Sequence, residues 1–172
     1  MDSLKSLYGR NCPFEDLSNQ GWTDDDLISF LKHRKKLVGI NLSHNHLTDT
    51  SIRVLAKRTS LKKINLANNS LTWKGALYLS HHKSLEELDL SGNSIGGKGA
   101  KYFGKSKSLH ILLLNQCNID IKGAYALSKS ISLDRLEVMD NEIETKGIQK
   151  LEMSRIPHLE TAGNPSTLDL HR

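Results

Sequence analysis

Cysteine, aromatic residues and long apolar runs are all scarce in this 172-residue chain. Two cysteines, Cys12 and Cys117, cannot build a multi-bridge disulfide framework, and no CxxC pair offers a zinc site. A reducing compartment is the natural expectation. No stretch approaches the roughly 20 apolar residues of a membrane helix. The opening MDSLKSLYGRN lacks the apolar core of a secretory signal, so a fold suited to cytosol is expected. Aromatics make only 5% of the chain, whereas leucine alone supplies 28 residues, which predicts a core of many similar aliphatic positions. The formal charge of +5 permits an acidic partner without requiring one.

The leucines are periodic. Leu37, Leu61, Leu85, Leu109 and Leu133 stand 24 residues apart. Three, five and ten places after each come apolar residues, from Ile40, Leu42 and Leu47 in the first unit to Leu136, Val138 and Ile143 in the fifth. Eight places on stand Asn45, Asn69, Asn93, Cys117 and Asn141. Alternation over LxL predicts a short strand with its leucines turned inward. The Asn positions fall where the chain leaves the sheet, and stacked amides there can satisfy backbone groups that the turn leaves open. Cys117 reads as a small substitute in that ladder, since no His or acid is placed to activate it. The second half of each unit reads as a helix, with Gly75, Gly99, Gly123 and Gly147 (Ser51 in the first unit) ahead of an apolar face. Ser60, Ser84, Ser108 and Ser132 close the units. One unit cannot bury its own apolar face, but five stacked units can.

The pattern LxxLxLxx(N/C)xL resembles the leucine-rich repeat, and KGALYLS, KGAKYFG and KGAYALS resemble its 24-residue GALA-type subfamily, which includes bacterial effectors delivered into host cells. The resemblance covers about residues 37–156 and departs from Gly-Ala at Ser51-Ile52 and Gly147-Ile148. It implies an α/β leucine-rich repeat solenoid: a right-handed horseshoe arc, parallel strands on the concave face and helices on the convex face. Residues 1–36 are expected as an N-terminal capping segment with one helix, 37–156 as five repeats with the last slightly extended, and 157–172 as a partial repeat and tail. Thr23, ahead of Asp24, Asp25 and Asp26, reads as a helix N-cap, with Trp22 and Leu27 as a hydrophobic staple. The helix is expected to end in Lys32, His33, Arg34, Lys35 and Lys36, which complement its dipole. Some GALA-type proteins carry an F-box, for which residues 1–36 are too short. Leu159 begins a partial sixth strand.

The residues between the buried leucines form columns across the strands. One column is Gly39, Lys63, Glu87, Ile111 and Arg135; the next is Asn41, Asn65, Asp89, Leu113 and Glu137; beyond it run Ser43, Ala67, Ser91, Asn115 and Met139. Ile111, Leu113 and Met139 form an apolar centre among Glu87, Asp89, Arg135 and Glu137, the make-up of an interface hot spot, with Lys63, Asn65 and Asn115 beside it. Lys62, Glu86, His110 and Asp134 alternate in sign and are expected to pair across strands. His44, His46, His81 and His82 lack carboxylate or thiol company at metal-site spacing and are expected to be solvent-exposed. On the outer side Lys74, Lys98, Lys122 and Lys146 recur at one position, with Lys57, Lys105 and Lys129 in a second row. A solvated face is the bland reading of both rows.

These features point to a non-enzymatic, monomeric protein-interaction module without cofactor, metal, nucleic acid or integral membrane association. The resemblance implies a bacterial effector, released by a non-classical secretion system, that binds a eukaryotic host protein through the concave face, with an adaptor role in the ubiquitin pathway as its finer form. Two alternatives stay open: regulation of a small GTPase, for which Arg135 is one of few candidate arginines, and electrostatic binding of anionic membrane by the lysine rows.

Overall fold

The computed structural model describes residues 14–165 other than Lys35, so Cys12, Lys35 and the tail from 166 onward lie outside the described residues. Strands and short helices alternate without exception: β1 (Phe14–Asp16), α1 (Asp24–His33), β2 (Gly39–Asn41), α2 (Asp49–Leu55), β3 (Lys63–Asn65), α3 (Trp73–Ser80), β4 (Glu87–Asp89), α4 (Gly96–Phe103), β5 (Ile111–Leu113), α5 (Ile121–Leu127), β6 (Arg135–Glu137), α6 (Thr145–Glu152) and β7 (His158–Glu160). Among the described residues, seven strands lie parallel in one sheet, in chain order. The architecture is an α/β solenoid of stacked repeats, with strands on one face and helices on the other.

Register follows from the repeat. Ile40 pairs with Ile64, Ile64 with Leu88, Leu88 with Leu112 and Leu112 with Leu136, so each 24-residue step places like against like. Leu37, Leu61, Leu85, Leu109 and Leu133 are all buried, as are the apolar residues that follow each at three, five and ten places. They fill the space between sheet and helices as one continuous core. The last step differs: Leu136 pairs with Leu159, so the fifth unit is one residue shorter rather than extended. At the other end, the capping segment supplies a strand as well as its helix. Phe14 pairs with Gly39, which adds β1 to the sheet beside β2.

The asparagine ladder stitches the turns together. Asn69 Nδ2 donates to the Leu42 and Leu66 carbonyls, both at 3.0 Å, and Asn69 Oδ1 accepts the Leu47 N–H at 3.0 Å. Asn45, Asn93, Asn141 and Asn164 repeat the scheme. Cys117 keeps only half of it. Its Sγ donates to the Leu90 carbonyl at 3.2 Å, but a thiol is a poor acceptor for the amides an Asn oxygen would serve. The Ile95 N–H turns instead to the Asn93 carbonyl, and Gly96 enters the left-handed region at φ +65°. The glycine-rich turn of this unit is therefore the local answer to a missing acceptor.

Adjacent helices approach closely through the Gly-Ala pair. A Cβ on Gly99 would stand 3.2 Å from Ala76 Cβ; on Gly123 it would meet Ala100 at 3.2 Å, and on Gly147 Ala124 at 3.3 Å. Each glycine thus receives the alanine of the preceding unit. The first two junctions lack that arrangement and use carboxylates. Asp24 accepts the Thr48 N–H at 2.9 Å, and Asp49 accepts both the Thr72 and Gly75 N–H groups, at 2.9 and 2.8 Å. The α1 start is held by Asp26, which accepts the Thr23 N–H and hydroxyl at 2.8 and 2.7 Å. The helix stops at His33 with Arg34 extended, earlier than the basic run suggests. Trp22 packs with Phe30, ring centroids 5.4 Å apart.

Candidate functional site

The sheet carries a shallow depression on its outer face, lined by Phe14, Lys63, Asn65, Glu87, Asp89, Ile111 and Leu113 over the buried Ile40, Ile64 and Leu88. Period-two alternation puts these side chains there: from β2 to β6 the central residue of each strand is buried in the core and its neighbours point out. Six of the residues singled out from the sequence therefore meet in one groove: Lys63, Asn65, Glu87, Asp89, Ile111 and Leu113. Ile111 and Leu113 are half-buried. Lys63 is buried and forms an ion pair with Glu87 on the next strand.

The other four predicted residues form a separate, hydrogen-bonded set beside the groove. Arg135 holds Glu137 Oε1 through Nε at 3.0 Å and a terminal nitrogen at 2.6 Å. Asn115 Nδ2 donates to Glu137 Oε2 at 2.8 Å, and Asn115 Oδ1 accepts the Met139 N–H at 2.8 Å. Glu137 is buried by these contacts. Met139 is half-buried and lies outside the groove lining, so the apolar centre consists of Ile111 and Leu113 without it.

Phe14 was not foreseen. Its ring covers Gly39, where a Cβ would stand 2.5 Å from Cδ2, and it closes the N-terminal side of the groove. A faint signal exists: Leu17, Gln20 and Trp22 match the spacing of Leu42, Asn45 and Leu47, displaced by 25 residues. Gln and Trp in place of Asn and Leu conceal that unit.

Asp89 differs from its companions in the column. Burial raises its pKa, and the Glu137 charge adds to the effect, against hydrogen bonds from Ser91. The Ser91 N–H donates to Asp89 Oδ1 at 2.9 Å. Among the described residues no lysine, arginine or histidine forms an ion pair with Asp89. Asn41 and Asn65 hold the same position on β2 and β3 and accept the Ser43 and Ala67 N–H groups in the same way.

Elsewhere, Lys62 pairs with Glu86 at 2.7 Å and His110 with Asp134 at 2.9 Å, as the alternating column suggests. The histidines divide. His44, His46 and His81 are exposed, but His82 is buried, against expectation, with Nε2 3.0 Å from the Arg58 carbonyl. It lies just past the end of α3, where it fills a step in the turn that Ser106 and Ser130 fill in later units. Among the described residues, no group of three or more His, Cys, Asp or Glu is placed to hold a metal. Lys74, Lys98, Lys122 and Lys146 are all exposed on the helix side, and Lys98 Nζ sits 3.1 Å from the centre of the Trp73 ring. No described helix is long and apolar enough to cross a membrane.

Comparison with known proteins agrees with the repeat. Residues 35–95 match one family model described as leucine rich repeat, and residues 129–151 match a second of the same description. No curated protein matches the chain. Similar solved structures include the leucine-rich repeat ectodomain of the Arabidopsis receptor kinase HAESA, in complex with an N-terminally extended IDA peptide hormone, at 19% identity and a TM-score of 0.47. That match covers 89% of this chain and 29% of the receptor's. The plant peptide hormone receptor RGFR1, in complex with RGF2, is similar at 16% identity and a TM-score of 0.47, covering 80% of this chain and 30% of that one. Five units in register and one continuous parallel sheet give the chain the α/β solenoid fold of leucine-rich repeats, and the two matching segments lie within it.

Proposed function

We propose that the chain is a non-enzymatic protein-binding module whose working surface is the groove on the concave strand face. The observation that carries this reading is the half-exposed pair Ile111 and Leu113, set in a depression with Phe14 at its other side. Apolar side chains held on a rigid, fully hydrogen-bonded sheet lose little freedom on binding, which is how a small patch becomes a hot spot. Arg135, Glu137, Asn115 and Met139 form a polar margin beside it. The finer reading, a bacterial effector acting on a host protein and an adaptor in the ubiquitin pathway, rests on the GALA-type resemblance.

Capture of partners from host-cell lysate by wild type, Leu113→Glu and Lys122→Glu tests the surface. Loss in Leu113→Glu alone is the expected result. Equal capture by wild type and Leu113→Glu would move the site elsewhere.

A second reading has its own observation. The exposed lysine row on the helix side is periodic, and among the described residues Lys74, Lys98, Lys122 and Lys146 form no ion pair with an acid. Binding to vesicles of anionic lipid, weakened by salt and by Lys122→Glu, is what a membrane contact requires.

A further inference from the structure

We propose that the concave groove receives a partner segment in which a lysine or arginine stands beside an aliphatic residue, the cation at Asp89 and the aliphatic side chain on Ile111 and Leu113. This deepens the protein-binding reading and rests on it.

Charge complementarity selects the occupant. The chain as a whole carries +5, yet its strand face has the opposite sign. In the two columns that frame the groove, Lys63 is engaged by Glu87 and Arg135 by Glu137. Asp16, Asp89 and Glu160 remain as carboxylates outside any ion pair among the described residues. Of these, only Asp89 lines the groove. Its carboxylate is partly withdrawn from water and lies near the charge of Glu137, so an arriving ammonium or guanidinium would relieve an uncompensated charge.

Spacing sets the rest. Asp89 pairs with Leu113 on the neighbouring strand, about 4.8 Å away, so the cation and the aliphatic side chain must lie close together on the ligand. From β5 to β1 is four strand spacings, about 19 Å, which an extended segment of roughly six residues spans. A second apolar residue at the far end of such a segment would reach Phe14. The strands themselves are hydrogen-bonded on both sides, apart from the outermost, so recognition here proceeds through side chains and not by strand addition.

The fold tolerates the decisive variant. Asn occupies the equivalent place on β2 and β3 and makes the same turn hydrogen bond, so Asp89→Asn removes charge and keeps geometry. The test is selection of a phage-displayed random peptide library on the immobilised wild-type chain, followed by anisotropy titration of the selected peptides against wild type, Asp89→Asn and Leu113→Glu. Peptides enriched in a basic residue adjoining an aliphatic one are expected. Their affinity should fall about tenfold in Asp89→Asn, and by a similar factor when the basic residue is replaced by norleucine, with no further loss when the two changes are combined. Peptides that lose binding in Leu113→Glu but show no basic preference and ignore Asp89→Asn would overturn this inference while leaving the groove as the site. Peptides indifferent to Leu113→Glu, or no selected peptide at all, would overturn both.

Discussion

Cys117 shows how much one ladder position controls. Its side chain is fully buried, and burial pushes its pKa up to about 12, with the Asp89 charge adding to a shift that the Asn93 and Gly92 amides only partly oppose. A thiol so placed is neither exposed nor ionised, the two conditions for nucleophilic reactivity. In a Cys12→Ser background, where Cys117 is the remaining thiol, alkylation by iodoacetamide at neutral pH should run ~10³-fold slower than for a free thiol. It should reach the normal rate in denaturant. Fast alkylation of the native chain would refute the structural role. His82 illustrates the opposite error: a residue that looks solvent-exposed in sequence becomes a wedge in the turn, because only the three-dimensional stacking puts Arg58 O within 3.0 Å of its ring.

Among the elements, the helices depend on close approach more than on propensity. Gly123 lies within α5, where alanine would ordinarily favour the helix by about 1 kcal/mol. A Cβ there would meet Ile119 Cγ2 at 2.7 Å, Gly97 Cα at 2.9 Å and Ala100 Cβ at 3.2 Å. The overpacking outweighs the propensity gain, and Gly123→Ala should destabilise the chain by about 1–3 kcal/mol in urea denaturation. A stabilised variant would show that α4 and α5 can separate without cost. The five central strands and their helices are legible in sequence because each repeats a pattern of apolar spacing. The reason for the Gly-Ala pair is not, since it concerns residues 23 apart on different helices. β1 escapes notice for another reason: Gln20 and Trp22 satisfy the turn and the core without matching the consensus, and Phe14 enters the groove with them. Of the ten candidates chosen by column alternation, six come together in the groove, while Arg135, Glu137, Asn115 and Met139 turn to one another through hydrogen bonds that no periodicity encodes.

In the molecule as a whole, stability is a chain of nearest-neighbour junctions, and these junctions are of two kinds. From α3 onward they are apolar contacts of glycine on alanine, indifferent to protonation. The α1–α2 junction hangs on Asp24 bridging to Thr48. Burial pushes the Asp24 carboxyl upward, but hydrogen bonds from Thr48 and Ser51 together outweigh it and hold the pKa below its ordinary 3.8. Asp26, at the start of α1, is likewise lowered by its hydrogen bonds from Thr23. Below 3.8 and above the folded pKa, the unfolded chain binds more protons than the native one. The stabilisation from both groups is therefore complete above that ordinary value and is lost as pH falls through the folded pKa. Asp89 has the reverse sign, since its pKa is raised and acid relieves it. Acidification should thus loosen the N-terminal end while sparing the strand face at β4. Hydrogen exchange at successively lower pH should show amides of α1 and α2 losing protection before those of α4 and α5. Asp24→Asn should weaken α1–α2 protection already at neutral pH and blunt its further decline in acid. Uniform loss of protection along the array would mean that the solenoid opens as a single unit, and that the chemistry of an individual junction does not decide where it begins.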